Sequence, residues 1–173
     1  MHSRNRFSYG SKLSLPAAAL LTAVAMVLLI GTSEAMAQKC KTVHGHFIDQ
    51  VLVSSPPCTS PVNTCVSGKA IGGLKGDFFA TVASITLSID TPVTAVVFET
   101  ADLVLHTKDG DLQMKEAAAY NGDPNGHGDL GDVVTVVGGS TGKWVGATGR
   151  LRVWGNLTVT ESDVNYDGEV CLP

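Results

Sequence analysis

A glycine–aromatic motif that occurs twice constrains this chain more than any other feature. Gly72-Gly73-Leu74-Lys75-Gly76-Asp77-Phe78-Phe79-Ala80 is echoed by Gly138-Gly139-Ser140-Thr141-Gly142-Lys143-Trp144-Val145-Gly146. Each copy sets a glycine turn before a long alternating segment that opens with an aromatic residue. Glycine serves where a backbone must bend sharply or take positive φ, and strict alternation is the mark of a half-buried strand. Such a chain reads as similar hairpins assembled into a small barrel.

Strand-like segments recur along the rest of the sequence, at 41–49, 65–71, 76–90, 94–107, 111–120, 130–137, 143–159 and 164–171. In 76–90 one parity carries Phe79, Ala83, Ile85, Leu87 and Ile89, and Ser84, Thr86 and Ser88 take the other face. Pro56-Pro57 and Thr91-Pro92 interrupt the pattern, and 121–128 is a polar, glycine-rich loop. Lys108-Asp109-Gly110-Asp111 contains the strongest hairpin signal in the chain. The segment 111–120 that follows it is rich in helix formers, but the turn makes it the return strand. About eight strands, joined mostly by short turns, favour an all-β fold, an eight-stranded antiparallel β-barrel with no exposed edge. An open two-sheet sandwich is the competing architecture.

Residues 1–37 read as a leader outside this fold. Arg4, Arg6 and Lys12 precede an apolar run from Leu15 to Ile30, and Ala35-Met36-Ala37 offers a small-residue cleavage site before Gln38. The expectation is a secreted or periplasmic protein whose residues 38–173 form one domain, with no membrane association after cleavage. That domain carries nine basic and fifteen acidic side chains. The acidic balance argues against nucleic acid and anionic membrane surfaces as partners. All four cysteines, Cys40, Cys58, Cys65 and Cys171, lie in the exported part, and an even count there reads as two disulfides with three possible pairings. Cys40–Cys171 with Cys58–Cys65 is favoured, because the first and last strands of an even-stranded up-and-down barrel meet at one rim.

Val137-Gly138-Gly139-Ser140-Thr141-Gly142-Lys143-Trp144-Val145-Gly146-Ala147-Thr148-Gly149 resembles the glycine-rich signature of the allene oxide cyclase and dirigent-like barrels, and Tyr166-Asp167-Gly168-Glu169-Val170 is similar to their closing strand. Ser140 stands where threonine is usual and Trp144 where phenylalanine is usual. The resemblance implies an eight-stranded antiparallel barrel with an apolar lumen, assembled as a homodimer or homotrimer. In the plant enzymes that lumen takes a hydrophobic small molecule and steers a cyclisation or a radical coupling. The matched residues are structural, and no catalytic residue carries over from the family.

Chemistry must therefore be sought residue by residue. Glu99 interrupts the apolar parity Ala95, Val97, Ala101, Leu103, Leu105, and Glu116 does the same among Leu112, Met114, Ala118 and Tyr120. If those parities face the lumen, two carboxylates enter an apolar space, where desolvation and like charge raise a pKa and suit acid–base work or cation binding. Tyr120 is a candidate ligand contact. Trp144, Arg150, Arg152 and Trp154 share one parity of 143–159 and form a candidate stripe for a ligand or a subunit. His44 and His46, with His106 or His127, are a weak metal set, and Asp163 to Glu169 imitates only half of a calcium loop. Neither amounts to a metal-site motif, and no cofactor-binding loop is present.

Overall fold

The structure, a computed structural model, describes residues 38–53, 58–88, 95–122, 127–158 and 160–173. The expected leader at 1–37, Pro56-Pro57, the Thr91-Pro92 break and the centre of the 121–128 loop lie outside the described residues. The strands are β1 (Lys39–Val53), β2 (Thr64–Gly72), β3 (Gly76–Leu87), β4 (Ala95–Thr107), β5 (Gly110–Gly122), β6 (His127–Val136), β7 (Thr148–Thr158) and β8 (Glu161–Leu172). Each pairs antiparallel with its sequence neighbour, and β1 also pairs with β8. The sheet closes on itself as the expected eight-stranded barrel. Segment 110–122 is a strand paired with β4 along its whole length, so the hairpin turn prevails over local helix propensity.

Up-and-down order sorts the connections by end. Those after β2, β4 and β6 gather at one rim, beside the start of β1 and the end of β8. Those after β1, β3, β5 and β7 gather at the other. The first rim is sealed by apolar side chains. Leu74, in the turn after β2, and Trp144 and Ala147, between β6 and β7, are buried there over Leu105, Leu112 and Val170.

The second glycine motif builds this seal, and here the structure departs from the expected strand. Gly139, Gly142 and Gly146 all take positive φ, so residues 138–147 turn across the rim, with a short 3-10 turn at Gly142–Trp144. β7 begins only at Thr148. A Cβ at Gly142 would come within 2.1 Å of the Asp109 carbonyl oxygen, and its φ of 57° is left-handed, so glycine fits on both counts. The Thr141 and Lys143 amides donate to the Asp111 and Asp109 carbonyls at 2.8 and 3.0 Å. Trp144 Nε1 donates to Thr107 Oγ1 at 3.0 Å.

Tyr166 makes a second tie. Its hydroxyl accepts the Leu74 amide at 2.8 Å and faces the carbonyls of Ile71 and Leu74 at 3.1 and 3.2 Å. The buried ring thereby fastens β8 to the turn between β2 and β3.

On β3 the expected parity is reversed in the first half, and in the second half Ile85 lines the cavity while Leu87 is exposed. A bulge between Val82 and Ser84 shifts the register with β4. Before it, Phe78, Ala80 and Val82 are the buried residues; after it, Ile85 faces the lumen. One extra residue exchanges the two faces, which a simple period of two cannot express.

Both favoured disulfides are present. Cys40–Cys171 joins directly opposed residues of β1 and β8 at the sealed rim. Cys58–Cys65 ties the connection after β1 to β2 at the opposite end. There Ser60 is buried and donates to the Val82 carbonyl at 2.6 Å, anchoring that connection beside the bulge.

Candidate functional site

The half of the lumen away from the sealed rim contains a cavity of about 300 Å³. Its floor is aromatic. Phe47 and Phe78 meet edge to face with centroids 5.3 Å apart, and Tyr166 lies 4.7 Å from Phe47. Alternating inward residues make the walls apolar, among them Val66, Leu103, Val134, Val153 and Val164. Five carboxyl groups stand above this floor: Asp49 on β1, Glu99 on β4, Glu116 on β5, Asp132 on β6 and Glu161 on β8.

Register explains their convergence. Ala118 is paired with Glu99 on one side and Asp132 on the other, so a small side chain lies between two carboxyls. Glu116, two residues nearer the floor, is diagonal to both, within reach of a long side chain. Glu116 and Asp132, diagonal across the β5–β6 ladder, act on each other's titration. Tyr120 OH donates to Glu99 Oε2 at 3.3 Å. Asp49 faces Ser162 directly across the β1–β8 ladder.

Burial dominates the electrostatics. It lifts Glu116 well above the ordinary carboxylate range, and the negative charges of Asp132 and Glu99 lift it further. Asp132 is pushed up to about 7, again by burial, against hydrogen bonds from Glu116 and from the Ala117 and Val133 amides. Glu99 is raised by burial, partly offset by Tyr120; Asp49 is raised by burial, partly offset by Ser162. Tyr120 is pushed up to about 12 by burial and by Glu99. Burial and like charge together keep the Glu116–Asp132 pair from carrying two negative charges near neutral pH. Two like charges this close in an apolar space would otherwise repel.

The structure brings together three of the expected site residues, Glu99, Glu116 and Tyr120. It places the others elsewhere. Trp144 is buried at the sealed rim. Arg152 and Trp154 face outward on β7, and Arg152 makes two hydrogen bonds with Asp167 on β8, at 3.0 and 2.7 Å. The expected Trp–Arg stripe is thus divided, because the glycine turns take Trp144 out of the strand. His46 pairs with Asp163 and His106 with Asp111, both on the exterior, and Asp163 to Glu169 is continuous strand in β8. Among the described residues, no three His, Cys, Asp or Glu side chains are grouped to hold a metal.

Asp49 and Asp132 join the site without having been singled out from the sequence. The available signal was the same as for Glu99 and Glu116, one carboxylate interrupting an apolar parity: Val43, Phe47, Asp49, Val51 on β1 and Leu130, Asp132, Val134, Val136 on β6. No family model matches the chain, and searches of curated proteins and of solved structures return no match.

Proposed function

We propose that this barrel is an exported ligand-binding protein that takes a small, mainly apolar molecule into its lumen. The cavity above the aromatic floor carries this reading. Apolar walls with a few convergent polar groups are the usual build of a ligand pocket, whereas a purely structural barrel of this size fills its interior with side chains. The resemblance to allene oxide cyclase and dirigent-like barrels supports the same reading. The leader-like sequence and the two disulfides support export to an oxidising compartment. Exposed Phe98 and Trp154 would serve contacts between copies in a homodimer or homotrimer.

A second reading is a cyclase- or dirigent-like enzyme that orients a hydrophobic substrate. Asp132, raised to about 7 beside Glu116, Glu99 and Tyr120, favours it, since an acid with its pKa near neutrality suits general acid–base catalysis.

Calorimetric titration with hexanol, a neutral apolar probe, tests the first reading, together with native mass spectrometry of the purified protein for a retained ligand and subunit number. Hexanol should bind the native barrel and should bind Ala118→Leu, whose larger side chain fills the space between Glu99 and Asp132, at least about ten-fold more weakly. Equal binding by both would place the ligand outside the lumen. A ligand released chemically altered, with alteration abolished by Glu99→Gln, would favour the enzyme.

A further inference from the structure

Asp132 is 8% exposed, and its Oδ1 finds no hydrogen-bond donor on any protein N–H or O–H in the arrangement described. A buried carboxylate oxygen without a donor is costly. A cation that donates hydrogen bonds would supply a donor and also neutralise the charge. None of the described residues lining the cavity is basic. Among the described residues, several lysines lie at the sealed rim instead: Lys39, Lys75, Lys108 and Lys143.

We propose that the lumen is a receptor site for a small organic cation, an alkyl- or arylammonium ion, whose nitrogen is held by Asp132 and Glu116 and whose apolar body lies on Phe47 and Phe78. This inference rests on the ligand-binding reading and names the ligand's chemical class. Buried apolar area supplies the affinity for the body, and the carboxyl groups select a charged hydrogen-bond donor over an isosteric alcohol. A bare metal ion is a poor occupant, because among the described residues no three carboxyl groups are gathered closely enough to hold one. An anionic ligand is repelled.

The groups facing the pair are Glu99 from β4, Tyr120 from the pair's own β5, Asp49 from β1 and Glu161 from β8. Every one is acidic or neutral, so protonation of the pair removes negative charge that nothing basic has balanced. The preference for a cation is therefore pH-dependent. It is greatest when the pair carries a negative charge and shrinks as the pair takes up its second proton.

Hexylammonium, hexanol and hexanoate, matched in shape, are titrated into the native protein at about pH 8 and about pH 5. A primary alkylamine is charged at both values, having a pKa near that of lysine, about 10.4. At the higher pH hexylammonium should bind at least about ten-fold tighter than hexanol, and hexanoate should not bind; at the lower pH the preference should contract to about three-fold or less. In Asp132→Asn/Glu116→Gln, folded by circular dichroism, hexanol binding should persist and the preference for the ammonium should vanish at both pH values. Should that variant not fold, the pH dependence in the native protein decides alone. If hexanol binds and hexylammonium binds no better, the cation inference falls and the ligand-binding reading stands. If none of the three binds, both fall.

Discussion

At Asp132, apolar surroundings hold a carboxyl protonated to about pH 7, and a pH profile follows. In the unfolded chain it titrates near 4; in the folded barrel it keeps its proton longer, so the native state binds more protons between those values. Stability should fall as pH rises from about 4 and level off above the folded values. Glu116, Glu99 and Asp49 are raised as well and act in the same direction. Asp109 and Asp167 are lowered by Lys143 and Arg152 and act oppositely, but they are exposed and screened by solvent. Asp132 alone would shift stability by on the order of a few kcal/mol across this window. Urea midpoints for the native protein should therefore decrease between about pH 5 and pH 8, and Asp132→Asn should flatten the curve and be the more stable at pH 8. A native curve that rises with pH would mean that this carboxyl is solvated. Glu99 and Glu116 were legible in the sequence because each interrupts an otherwise apolar parity. Asp132 carries the same mark in the expected strand 130–137, but Val133 and Val137 on the opposite parity left its inward face undecided by pattern alone.

Among the elements, the two glycine motifs share an end of the barrel and differ in form. The first leads directly into β3. The second becomes a cover pinned to the hairpin between β4 and β5. Gly142→Ala would force a Cβ against the Asp109 carbonyl at a left-handed φ, a change that costs roughly 1–2 kcal/mol for the backbone alone. The urea midpoint should drop accordingly while lumen binding of the folded fraction is retained. A variant with unchanged stability would show that the cover does not contribute to the fold. Spacing of glycines located the turns correctly in the chain. It did not reveal that three positive-φ positions in close succession would remove Trp144 from β7, nor that a bulge would exchange the faces of β3. Both depend on pairing partners distant in sequence. The strand count, the antiparallel order and the β4–β5 turn depend on local pattern, and these were legible.

For the whole molecule, the bond between Cys40 and Cys171 spans 131 residues and joins the strands at which the barrel closes. In the chain-entropy account a loop of that size is worth about 5 kcal/mol, and the seven-residue span of Cys58–Cys65 about half as much. Cys40→Ser/Cys171→Ser should therefore lower unfolding stability more than Cys58→Ser/Cys65→Ser, measured in urea under non-reducing conditions. The reverse order would mean that the β1–β8 ladder closes without help from its cross-link.

The sealed rim, where Leu74, Trp144 and Tyr166 interlock, stands opposite the rim at which the cavity lies. Substitutions that reshape the cavity end need not disturb the contacts that close the barrel, and repairs to those contacts need not alter what the cavity accepts. A lineage built on this plan is free to drift in specificity at one pole while purifying selection holds the other.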